Sequence, residues 1–123
     1  MDHEFIRDLF APFGPVTVRR MFSGAGIFAD GLMFGLIARD VIYLKADDGN
    51  IADFEREGCA PFTYVRGRKS GRPNQHALPY WRLPERLYDD PDELAAWAVR
   101  AFAAAERNRF KPRQRRKRKR TKR

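Results

Sequence analysis

Residues 16–46 read VTVRRMFSGAGIFADGLMFGLIARDVIYLKA, and their reading decides the fold. The centre, LMFGLIA at 32–38, is apolar on both of its alternating faces, as expected of a central strand covered on both sides. Asp30-Gly31 before it can supply the positive φ angles of a tight hairpin. Arg39-Asp40 after it predicts a second turn. Val41 to Ala46 then forms a further strand, with Tyr43 and Lys45 on one face and Ile42 and Leu44 on the other. Upstream, Val16, Val18, Arg20 and Phe22 alternate with Thr17, Arg19 and Met21. That apolar-rich run continues through Ile27 and Phe28 to the Asp-Gly turn.

Helical signals flank this core of strands. Phe5, Ile6, Leu9, Phe10 and Phe13 recur at helical spacing over residues 3–13, with Asp2 as a candidate N-cap and Gly14-Pro15 as a stop. After Asp47-Asp48-Gly49 a short helix turns Ile51 and Phe54 inward and ends at Gly58. Residues 62–66 and 78–83 read as a hairpin pair separated by a long loop, Gly67 to His76, rich in Gly, Arg and Lys. The last helix has the strongest signature: Asp90 to cap it, Pro91 at its first position, and Glu93 in a capping-box-like arrangement. Leu94, Trp97, Ala98, Ala101, Phe102 and Ala105 share its apolar face.

The summed order is helix, three strands, helix, two strands, helix. Strands joined by tight turns favour an antiparallel sheet with helices on one face, an α+β fold in two layers. Helices on one face leave the second apolar face of residues 32–38 uncovered, and a homodimer would cover it.

A chain of 123 residues with 43% hydrophobic content suffices for one core and not for two domains. Its charge is unevenly distributed. Of 25 Lys and Arg, twelve fall in residues 107–123, which hold no Asp or Glu; residues 1–106 keep 13 against all 16 acidic groups, a net of −3. The expected organisation is a folded body, 1–106, and a disordered polybasic tail, 107–123. Met1-Asp2-His3-Glu4 does not resemble a signal peptide and no stretch has the apolar length of a membrane span, so a cytoplasmic protein without membrane partners is expected. A single cysteine, Cys59, excludes an internal disulfide and CxxC chemistry.

Catalytic chemistry has little to work with. Gly24-Ala25-Gly26-Ile27-Phe28-Ala29 has the form G-x-G-x-x-A, yet no helix follows to face a pyrophosphate, and glycines that admit a close backbone approach explain it better. The only histidines, His3 and His76, have no ligand spacing. Asp89, Asp90, Asp92 and Glu93 suit a helix N-terminus rather than a metal, and neither Ser23 nor Ser70 has a histidine nearby in sequence. No catalytic residue, metal or cofactor is assigned, and an enzyme is not expected.

Polyanion binding has better support. Arg66, Arg68, Lys69 and Arg72 form a cationic loop. In the tail, Arg113, Arg115, Arg116, Lys117, Arg118, Lys119, Arg120, Lys122 and Arg123 supply charge without sequence readout. Together with Arg68, Lys69 and Arg72 these are the candidate nucleic-acid-binding residues. Removing residues 107–123 is expected to leave the thermal midpoint nearly unchanged while abolishing salt-sensitive DNA binding.

The stretches RRMFSGAGIFADGLMFGLIARDVIYLKAD (19–47), FEREGCAPFTY (54–64) and LPYWRLPERLYDDPDELAAWAVRAFAAA (78–105) resemble the N-terminal domain of the TfoX/Sxy family. Arg20-Met21-Phe22, the Asp30-Gly31 turn, Met33-Phe34-Gly35, Tyr43-Leu44-Lys45, Pro61-Phe62 and Tyr80-Trp81 with Pro84 carry the likeness. Ser23 stands where the family more often has glycine. The resemblance implies a secretion-chaperone-like α+β fold and a link to transcription and natural competence in bacteria. It also implies a transcription-factor partner, since full-length regulators of the family act with a cyclic-AMP receptor protein. Those regulators carry a second, helical domain where this chain has its basic tail, so the expected organisation is a stand-alone N-terminal domain. A dimeric protein-interaction module resembling a secretion chaperone, with nucleic acid incidental, is the alternative.

Overall fold

The computed structural model describes residues 1–69 and 71–109, with backbone alone at 68, 69 and 72–74. Helix α1 (His3–Leu9) leads into strands β1 (Thr17–Met21), β2 (Gly24–Ala29), β3 (Leu32–Ala38) and β4 (Val41–Lys45). Helix α2 (Ile51–Arg56) follows, then β5 (Pro61–Lys69), β6 (Arg72–Arg82), a 3-10 turn (Glu85–Asp89) and helix α3 (Pro91–Arg109). The strands form one antiparallel sheet in the order β1-β2-β3-β4-β6-β5. This is the expected α+β alternation, with the first run of strands folded once more than the sequence pattern indicates.

The additional fold lies at Phe22-Ser23. Met21 pairs directly with Gly24, so the apolar run of residues 16–28 reverses through a two-residue turn. Gly24 permits this. A Cβ there would stand 2.2 Å from the carbonyl oxygen of Ile37, so only glycine lets the two backbones approach. Gly24–Ala29 is thus a strand leading into a turn at Asp30 (φ 49) and Gly31 (φ 75), with no helix at which a dinucleotide could bind.

Register in β3 sets the core. Ile27 pairs with Gly35 and Phe28 with Met33, leaving Phe34 as an extra residue without a partner on β2. The bulge puts Phe34 and Gly35 on the same face. Phe34, fully buried, meets Phe10 (5.8 Å, edge-on), Phe13 (5.1 Å) and Phe102 (6.0 Å, edge-on), tying α1, β3 and α3 together. Ile27, Ile37, Ile42 and Leu44 surround it on the sheet. Helix α3 presents Leu94, Trp97, Ala98, Ala101, Ala104 and Ala105 to this layer, its alanines allowing close approach to β3 and β4. Phe54 of α2 packs on Trp97 and Trp81, closing the same face.

At α3 Asp90 caps as the sequence indicates, the Glu93 amide donating to its Oδ1 at 3.2 Å. No capping box closes: the Glu93 carboxylate accepts from Arg86 and Trp97, and the Asp90 amide donates to the Leu87 carbonyl. At α1, by contrast, Asp2 holds the N-cap position without a side-chain bond. Before α2, the buried Asn50 accepts from the Asp47 amide (2.8 Å) and donates to the Lys45 carbonyl (3.1 Å), fixing the β4–α2 corner.

Two boundaries move. Helix α3 continues through Arg109, and Arg107 donates to both oxygens of Asp47 at 2.7 Å, so the residues from 107 to 109 belong to the body rather than the tail. Gly67 to His76 is not a long loop. Strand pairing persists through Arg68↔Pro73 and Lys69↔Arg72, with a turn at Gly71 (φ 74). The ribbon escapes a periodicity argument because β4 pairs only with Tyr80, Trp81 and Arg82 of β6. Nothing in the register covers the rest, so its residues need not alternate in polarity.

Replacing Gly24 by alanine should therefore cost about 1–3 kcal/mol in chemical denaturation, because backbone rather than a flexible side chain must yield. A second expectation concerns Arg86, which donates to Glu57 (2.7 and 3.2 Å) and Glu93 (2.9 and 3.0 Å). Its hydrogen bonds hold both carboxyls below their ordinary value of 4.5. A depressed native-state value stabilises fully above that range, and the contribution disappears as pH falls through the native values. Arg86→Ala should lower the thermal midpoint slightly at neutral pH and match the parent chain once the pH has fallen below both native values.

Candidate nucleic-acid interface

The charge of the folded body is segregated by element. None of its sixteen Asp and Glu lies in a strand; every one is in a helix, a turn or a connection. The strands instead hold Arg19, Arg20, Lys45, Arg66, Arg68, Lys69, Arg72 and Arg82. Pairing follows the same division, except at Arg7 of α1, which holds no carboxylate among the described residues. Arg56, Arg86, Arg100 and Arg107 of the helices and the 3-10 turn each hold a carboxylate. Arg19, Arg66 and Arg82 are exposed and hold none among the described residues.

Alternation separates the two faces of the sheet. Leu44 and Trp81 point into the helical layer, so Tyr43, Lys45, Tyr80 and Arg82 lie on the opposite face. Among the described residues, no helix covers that face. Near β1 it shields itself: Met21, Phe28 and Met33 converge over Gly26, where a Cβ would stand 2.9–3.1 Å from their side chains. The Arg19 guanidinium lies 5.0 Å from the Phe28 ring.

Toward β5 the open face is aromatic. Tyr43 meets Phe62 edge-on at 5.1 Å, Phe62 lies nearly parallel to Tyr64 at 6.5 Å, and Tyr64 stacks on His76, its register partner, at 5.4 Å and 26°. All four rings are half-buried. Tyr80 sits beside them, its hydroxyl pushed up to about 12 by burial. Lys45, only 7% exposed, holds its ammonium 5.1 Å from the Tyr80 ring, and burial pulls its pKa down despite the nearby Asp47. Lys45 is thus a structural cation rather than a contact point.

Of the candidate nucleic-acid-binding residues, the fold brings three together. Arg68, Lys69 and Arg72 fall at the end of the β5–β6 ribbon, on strands that also carry Arg66 and the aromatic row. Arg113, Arg115, Arg116, Lys117, Arg118, Lys119, Arg120, Lys122 and Arg123 lie outside the described residues. Among the described residues no group of His, Cys, Asp and Glu could hold a metal. Cys59 lines a shallow depression with Glu57, Arg82 and Arg86, and burial raises its pKa, as for an unreactive thiol. No helix among the described residues is long and apolar enough to cross a membrane.

The TfoX N-terminal domain family matches residues 8–105, almost the whole of this folded body. The chain belongs to that family. No curated protein matches it. The match ends within α3, so the TfoX N-terminal domain includes the sheet, its open face and the Phe34 cluster, while the basic tail lies beyond it.

The aromatic row was not legible in the sequence, because Tyr43, Phe62, Tyr64 and His76 come from strands whose adjacency depends on the β4–β6–β5 order. Phe22 was also missed. It stands fully exposed at the β1–β2 turn with φ 49, a left-handed conformation unfavourable to a bulky side chain. The two-residue turn imposes that angle. Phe22→Asn should raise stability by about 1 kcal/mol, read as a higher midpoint in denaturant, because asparagine tolerates the left-handed region and no packing is sacrificed.

Proposed function

We propose that this TfoX-like protein is a non-catalytic regulatory protein of bacterial transcription, linked to competence, that associates with nucleic acid through its cations. The observation that carries this reading is the segregation of charge. The strands carry eight cations and no carboxylate, and Arg19 and Arg82 lie exposed on the face away from the helices that hold the acidic groups. Phosphate backbones are attracted by such a surface without regard to sequence. The polybasic segment after Arg109 adds to the same attraction, and family membership supports the regulatory setting.

A mobility-shift titration of the full chain and of a chain ending at Arg109 tests this. Removing the tail should weaken duplex binding and reduce the salt slope by roughly 0.9 for each phosphate that the tail neutralises. The thermal midpoint should stay unchanged. A chain ending at residue 106, which also lacks Arg107 and its ion pair with Asp47, should melt roughly 1–5 °C lower. Absence of salt-sensitive binding by the full chain would overturn the reading. In that case the second reading, a protein-interaction module using the open sheet face, takes its place.

A further inference from the structure

The row Tyr43, Phe62, Tyr64, His76 does more than the charge reading requires. Duplex DNA presents phosphates to a basic surface and keeps its bases paired inside. Flat aromatic side chains on an open sheet suit bases that are already unpaired, which can lie against the rings. Three features of this face point that way together. The Phe62, Tyr64 and His76 rings run near-parallel along the β5–β6 pair, at 17° and 26° to one another. All three are half-buried, so part of each ring stays open to solvent, and the His76 Nε2 is enclosed without a hydrogen-bond partner among the described residues. Arg66 and Arg82, exposed and without a carboxylate among the described residues, flank the row at positions where a sugar-phosphate backbone would run.

We infer that the open face of the β4–β6–β5 end is a single-stranded nucleic-acid site, with bases stacking on Tyr64, His76 and Phe62 and phosphates held by Arg66 and Arg82. This deepens the nucleic-acid reading above and rests on it. Charge decides the occupant. A second copy of the chain would bring the same cations against themselves with no strand carboxylate to answer them, whereas a polyanion with planar groups meets both features of the face. Tyr64 makes the better probe. It lies on the ribbon, outside the core cluster, so its ring can be removed without opening the interior.

Fluorescence anisotropy of the full chain distinguishes the site from charge alone. The probes are a labelled 15-nucleotide oligothymidine, an abasic strand of the same length, and a duplex of that length. The parent chain should bind the oligothymidine at least tenfold more tightly than the abasic strand. Tyr64→Ala should weaken oligothymidine binding by roughly 5- to 150-fold and leave duplex binding within about twofold. Tyr64→Phe should retain the parent affinity, and His76→Ala should reproduce the weakening if Tyr64→Ala melts early. Equal affinity for abasic and base-bearing strands, equal displacement by polyglutamate and by unlabelled oligothymidine, or a Tyr64→Ala chain indistinguishable from the parent would each overturn the site while leaving charge-driven binding standing. A concentration-dependent dimer in sedimentation that Tyr64→Ala dissociates would overturn it in favour of a second copy. Failure to bind any of the three probes would remove both readings together.

Discussion

The packing of this domain turns on one residue that has no strand partner. Phe34 is the extra residue of the bulge between β2 and β3, and the bulge turns its ring toward the helices. There it meets Phe10, Phe13 and Phe102, so a single side chain joins the N-terminal segment, a central strand and the last helix. Gly35 follows without a side chain, and Ile27 occupies the space a Cβ would take. Without that substitution of space for side chain, two consecutive residues on one face would crowd the centre of the sheet. The alanines of α3 then complete the layer at short range.

Once the helices are committed to one face, the distribution of charge acquires a direction. Carboxylates gather in helices, turns and connections, where amide ends and arginines satisfy them, as Asp90 does at α3 and Asp47 does with Arg107. Arg19, Arg66 and Arg82 are left exposed on the strands, and the aromatic row lies on the open face. The body carries a net negative charge in sequence, and yet its sheet is positive. A net figure averages over surfaces that never meet the same partner.

The β5–β6 ribbon and the Phe22-Ser23 turn show where the sequence misleads, for opposite reasons. Residues 32–38 announce themselves because both faces are apolar, and Asp30-Gly31 marks a turn through the φ angles it tolerates. From 67 to 76 there is no apolar alternation, and Gly67, Gly71 and Pro73 read as loop breakers, yet a ribbon paired only with itself tolerates both. The turn at Phe22-Ser23 was hidden for the opposite reason. Its residues look like strand continuation, and only the pairing of Met21 with Gly24 shows that the chain reverses there.

What the sequence determined by itself were properties carried by local periodicity and composition: the helices, most strands, the Asp-Gly turn, the Asp90 cap of α3, and the family. Tertiary structure decided which of two alternating faces would be covered. It also decided which rings would become neighbours, and on which side the unpaired cations would remain. Alternation assigns residues to two faces but does not label either one as interior. That label comes from the bulge at Phe34 and the order of strands, through contacts between residues far apart in the chain, and so the aromatic row of the open face exists only in the folded molecule.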